Sequence, residues 1–132
     1  MCRRRIRKMT RILVIDDDVQ ICNMLERFLS RKGYEVDIAY DGNQGITKFD
    51  KARTDLVITD LVMPEKEGIE TVMELRAKSP AVKIIAISGG GRVGPESYLE
   101  IARELGAQRT FEKPVDFEEL LGAVEELTSP KA

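Results

Sequence analysis

Ile12-Leu13-Val14-Ile15-Asp16-Asp17-Asp18 decides the reading of this chain. Four apolar residues in a row, without alternation, suit a strand covered on both faces, and such strands belong to parallel sheets. The run stops abruptly at three aspartates. A buried strand that delivers carboxylates at its carboxyl end points to the edge where open parallel sheets gather ligands.

Downstream the pattern changes period. Ile21, Cys22, Leu25, Phe28 and Leu29 recur at helical spacing, predicting a helix from Val19 to Lys32 with Gly33 as its C-terminal cap. Tyr34 to Ala39 alternates as a second strand, and Asp41-Gly42 turns into a helix over 43–51. Asp55 to Asp60 reads as the third strand. Gly68 precedes a helix to Lys78, which Ser79-Pro80 breaks. Lys83 to Ser88 is the fourth strand, Gly89 to Gly94 a glycine-rich loop, and 95–105 a helix. Arg109 to Glu112 and then 117–127 complete the series. Five strands alternating with five helices predict a doubly wound α/β fold with a parallel sheet, and a flavodoxin-like order, 2-1-3-4-5, would make strands one and three neighbours.

At 132 residues the chain holds one domain, and 42% hydrophobic residues suffice for a core. There is no His, so chemistry must run on carboxylates, hydroxyls and amines. Residues 1–11 carry six of the 21 bases and no acid, leaving 15 bases against 23 acids, a net of −8, in the rest. An acidic body of this kind repels phosphate backbones, so no nucleic-acid partner is expected. The division expected is a basic, disordered extension over 1–9, the domain over 10–128 and a tail over 129–132, with Met9 a candidate true start. No stretch is long and apolar enough for a bilayer, and the basic head lacks the apolar run of a signal peptide. A cytoplasmic location with no membrane contact is expected. Cys2 and Cys22 make no metal pattern, and Cys22 belongs in the core.

The strand ends carry the chemistry: Asp16, Asp17 and Asp18 after strand one, Asp60 after strand three, Ser88 after strand four and Lys113 after strand five. Aspartates also follow strands simply to cap helices, and Asp18 is read that way. That explanation fails for the set. Two bare carboxylates about 4 Å apart repel by roughly 4 kcal/mol at an effective dielectric near 20. An all-oxygen cluster relieved by a cation suits Mg²⁺, which takes one or two carboxylates and favours a phosphate as a further ligand. A carboxylate beside Mg²⁺ can attack phosphorus to give an acyl phosphate, with Lys113 and Ser88 as donors to the phosphoryl oxygens. No dedicated base is present to drive a water, so general turnover is not expected.

In this order and spacing the residues resemble the receiver domains of two-component response regulators. The resemblance covers residues 10–128 and rests on Ile12 to Asp18, Asp60-Leu61-Val62-Met63-Pro64 with Gly68, Ser88, Gly106-Ala107 and Lys113-Pro114. It implies that Asp60 accepts a phosphoryl group from a sensor histidine kinase or a histidine phosphotransfer protein. Asp17 would bind Mg²⁺ directly, Asp16 through water, and Val62 through its backbone carbonyl, alongside Asp60. Ser88 and Lys113 would meet the phosphoryl group, and the Lys113-Pro114 bond would be cis. Output would pass through contact with a downstream protein, with a monomer or a weak dimer using the last two helices and strand five. A shuttle handing the phosphoryl group onward to a His is the alternative, and a scaffold with vestigial phosphorylation is disfavoured by the intact Asp and Lys set.

Two departures stand out. Family members commonly carry an aromatic switch residue where this chain has Thr110, and adjacent Phe111 points to the other face of the strand. The switch is therefore expected to lean on Ser88, Thr110 and the glycine loop. Gly89-Gly90-Gly91 also stands where a larger residue is often found. Two lookalikes lose. Gly89 to Gly94 matches a dinucleotide-binding glycine pattern, but too little chain follows it for that fold. A haloacid-dehalogenase-like phosphatase would need Thr or Val where Gln20 stands.

Overall fold

The computed structural model describes residues 10–61, 68–89 and 95–129, with the backbone alone for 95–99. The chain runs β1 (Arg11–Ile15), α1 (Val19–Arg31), β2 (Glu35–Ala39), α2 (Gly42–Lys51), β3 (Leu56–Asp60), α3 (Gly68–Lys78), β4 (Lys83–Ser88), α4 (Pro95–Glu104), β5 (Arg109–Glu112) and α5 (Phe117–Thr128). All pairings are parallel, as the alternation predicts, and the sheet order is β2-β1-β3-β4-β5, the flavodoxin-like order expected.

The unbroken apolar runs are explained by two cores. Leu13, Ile15, Val57, Ile84 and Ala86 face one layer with Ile46, Val72, Leu75 and Ala102 of α2, α3 and α4. Their neighbours Ile12, Val14, Leu56, Ile58, Ile85 and Ile87 face the other, against Cys22, Leu25 and Leu29 of α1 and Leu120 and Val124 of α5. The central strands thus carry apolar side chains on both faces until their carboxyl ends, where Thr59, Asp60 and Ser88 take over.

Helix ends account for the boundary differences. The Tyr34 amide donates to Leu29 O and the Gly33 amide to Ser30 O, with Gly33 at φ +98°, a Schellman closure of α1. Tyr34 is therefore spent on the helix end, Lys32 is the cap, and β2 begins at Glu35 rather than Tyr34. The same device at Gly106 (φ +101°), where the Ala107 amide donates to Ala102 O, stops α4 at Glu104, one residue before the expected Leu105. Gly68 is the first residue of α3 rather than the one before it. The Asp55 amide donates to Arg11 O outside the strand ladder, and β3 starts at Leu56. Residues 1–9 and 130–132, and with them most of the expected extension and tail, lie outside the described residues. Among the described residues no helix is long and apolar enough to cross a membrane.

Candidate phosphoacceptor site

The β1–β3 register, Ile12 with Leu56 through Ile15 with Thr59, brings Asp16 level with Asp60, one residue further along both strands. Both carboxylates are buried, Asp16 at 2% exposure and Asp60 at 4%. Asp17 is exposed, and one oxygen each from Asp16, Asp17 and Asp60 lie within 4.8 Å of one another. The three carboxylates that sequence singled out for a cation do converge. Asp18 does not join them: its side chain accepts from the Gln20 and Ile21 amides as the N-cap of α1. Val62, expected to contribute its carbonyl, lies outside the described residues.

Lys113 enters from the far side. Its Nζ stands 3.3 Å from Asp16 Oδ2 and 3.3 Å from Asp60 Oδ2. The Lys113 amide donates to Ser88 O at 2.9 Å, which fixes the start of the side chain against the end of β4, and the Lys113-Pro114 bond is cis. Burial pulls the Lys113 ammonium down, but Asp60 and Asp16 outweigh it and hold its pKa above the ordinary value. For Asp16 burial is the largest influence and raises the pKa, against the opposing pull of the Asp18 amide, at 2.9 Å from Oδ1, and of Lys113. A carboxylate held in this way favours a neutralising cation.

Ser88 is fully buried, and its Oγ makes no hydrogen bond. A buried hydroxyl without a partner is unusual and leaves a donor free for an incoming oxygen. The oxygen-only donor set and the unspent hydroxyl together fit Mg²⁺ and a phosphoryl group. Cys22, in the core as expected, donates from Sγ to Asp16 O at 3.2 Å, and burial, with the nearby Asp16 and Asp18 carboxylates adding, pushes its thiol up to about 12. It is an inert packing group.

Thr110 and Phe111 part company as strand alternation requires. Phe111 packs in the α1–α5 core, while Thr110 pairs with Ala86, a residue of the opposite layer. The ring of Phe111 is therefore unavailable on the α4 side. Sequence reading missed a cleft of about 630 Å³ beside Lys113, walled by Ile21, Met24, Val115 and Phe117 among others. It also missed how closely Gly89 underlies the lysine: a β-carbon at Gly89 would come within 2.7 Å of Lys113 Cδ. Neither has a signature in local periodicity, because each joins residues far apart in the chain.

Residues 12–125 match the response regulator receiver domain family. The transcriptional regulatory protein ZraR of Salmonella typhimurium is 37% identical over 114 residues, which cover 86% of this chain and 25% of that protein. The transcriptional regulatory protein CpxR of Klebsiella pneumoniae is 33% identical over 118 residues, covering 88% and 48%. This chain thus spans between a quarter and a half of these curated relatives. Among solved structures, a CheY-like receiver domain protein from Methanospirillum hungatei superposes with a TM-score of 0.83 at 28% identity, over 90% of this chain and 93% of the other. TrrA of Thermotoga maritima, solved in complex with Mg²⁺-BeF, does so with a TM-score of 0.79 at 34% identity, over 90% and 99%. On fold, strand-end chemistry and sequence together, the chain belongs to the response regulator receiver domain family.

Proposed function

We propose that Asp60 is the phosphoacceptor of a two-component pathway, taking a phosphoryl group from a histidine on a kinase or phosphotransfer protein. The observation that carries this reading is the convergence of Asp16, Asp17 and Asp60 oxygens within 4.8 Å, with Lys113 bridging two of them. An Asp60 oxygen attacks phosphorus; the new P–O bond forms as the P–N bond to the donor imidazole breaks, and the electron pair stays on that nitrogen. Lys113 turns its ammonium from the carboxylates toward the phosphoryl oxygens. Ser88 donates its unspent hydroxyl to one of them. Asp16, Asp17, Asp60 and the Val62 carbonyl would hold Mg²⁺, which when bound supplies charge neutralisation for the transferring group.

The donor histidine must reach Asp60 from the open edge of the sheet. Val19 and Met24, each about half exposed on α1, and the apolar cleft beside Lys113 offer that protein a seat. Pairing of Ser88 with the phosphoryl group would then alter the β4–β5 edge around Thr110, and through it the α4–β5–α5 face, where Ile101 is exposed, for a downstream protein. The proposed setting is the cytoplasm.

The test is incubation with acetyl phosphate and Mg²⁺, read by intact mass. The wild type should gain one phosphoryl group and Asp60→Ala none; equal gain by both would remove Asp60 from the role. Passage of the label from Asp60 to a histidine-bearing protein would identify a relay step, and phosphorylation-dependent binding without passage an effector.

A further inference from the structure

Helix α4 carries the exposed Ile101, yet among its described side chains only Ala102 and Leu105 join the core. A helix with so little buried apolar surface is easily shifted. Its far end is held by another helix. Arg76 of α3 donates from Nη2 to Gly106 O at 2.8 Å, and from Nη1 to Pro80 O at 2.8 Å and Val82 O at 2.7 Å. One guanidinium thereby joins the α4–β5 turn to the α3–β4 turn. It lies against Gly106, where a β-carbon would stand 3.2 Å from Nε and 3.5 Å from Cζ. The turn it grips is the one that closes α4, with the Gly106 amide donating to Arg103 O and the Ala107 amide to Ala102 O. Two residues on, the chain is fixed to β4. There the Gln108 amide donates to Ile84 O at 2.9 Å, and the Gln108 side chain accepts from the Ile84 amide at 2.8 Å. A shift of α4 therefore has to bend the chain at Gly106, beside the guanidinium.

We propose that the Arg76 clamp is a brake on the switch, holding α4 in the arrangement that precedes phosphoryl transfer. The reacting corner has that form in this structure: Lys113 Nζ rests on Asp16 and Asp60, and Ser88 Oγ has no partner. The three carbonyl bonds belong to the same arrangement. Arg76 Nε is buried without an acceptor, so the guanidinium is not fully satisfied where it sits. Such a tie sets the resting position of a lightly packed helix and still yields. Coupling between sites is reciprocal. If occupancy at Asp60 loosens the clamp, cutting the clamp must tighten binding at Asp60 by the same factor. General structural damage has the opposite sign, because it weakens a site built on β1 and β3. The inference rests on Asp60 being the acceptor.

The probe is beryllofluoride at saturating Mg²⁺, titrated by calorimetry into the full chain. Arg76→Met keeps the stem and loses every donor, and should bind the probe about three- to tenfold more tightly than the wild type. Amide exchange at Leu105, Gly106 and Ala107 should quicken about tenfold relative to Leu13 and Val14. Arg76→Lys keeps the charge but cannot span three carbonyls, so it should fall between the two. It carries the same comparison if Arg76→Met does not fold. Faster exchange with unchanged or weaker affinity would make Arg76 a local support only and overturn the proposal, as would unchanged exchange at the turn. If the wild type does not bind beryllofluoride, or binds it no better than Asp60→Ala does, the parent reading fails instead, and the two failures are distinguishable.

Discussion

Asp16 is buried, and burial outweighs the opposing pull of the Asp18 amide and of Lys113 on its carboxyl group. Because its pKa is raised on folding, the folded protein holds that proton more tightly than the unfolded chain, and metal-free stability falls as pH rises through this group's titration. Asp16→Asn keeps an oxygen for the Asp18 amide and removes the charge. The metal-free variant should be more stable than the wild type at pH 7, read as a higher melting temperature. The gain should shrink at low pH, where Asp16 is protonated anyway. Urea or thermal denaturation in EDTA at several pH values measures it, and a loss of stability at pH 7 would contradict the electrostatic account. At this scale much was legible in the sequence, because Asp16, Asp60, Ser88 and Lys113 announce themselves by type and place. The unsatisfied hydroxyl of Ser88 and the fit of Gly89 under Lys113 were not, since both depend on distances across strands.

The first residue of α3 lies close against the end of β3. A β-carbon at Gly68 would fall 2.1 Å from Asp60 O and 2.4 Å from Leu61 Cα, and the Gly68 amide donates to Leu61 O. These neighbours are backbone and cannot rotate aside. Gly68→Ala should therefore cost about 2–3 kcal/mol or more, read as a lower urea midpoint, and should slow labelling of Asp60, whose own carbonyl must move. A variant of wild-type stability would show that the helix start can retreat freely. Sequence periodicity found every helix and strand among the described residues, because apolar spacing differs so clearly between them. It misplaced ends such as Tyr34 and Leu105 by a residue, since a Schellman closure consumes residues that local pattern assigns to the next or the same element.

For the whole molecule, a cation bound only by the folded acidic corner must stabilise the fold by mass action. At Mg²⁺ ten times its dissociation constant the gain is about 1.4 kcal/mol, a rise in melting temperature of about 4–6 °C that EDTA should reverse. A melting curve that ignores millimolar Mg²⁺ would count against the cluster as a metal site. Alternation announced a parallel, doubly wound sheet, and the flavodoxin-like order expected for it is what brings β1 and β3 side by side.

That adjacency has a mechanical corollary. Sliding β1 against β3 by one residue, about 3.3 Å, would turn Leu13 and Ile15 out of one layer and into the other, and would also pull Asp16 off its level with Asp60. The greasy interlock of the two layers therefore works as a vernier for the reactive edge. The spacing of its acids is gauged by aliphatic side chains that never touch a phosphate.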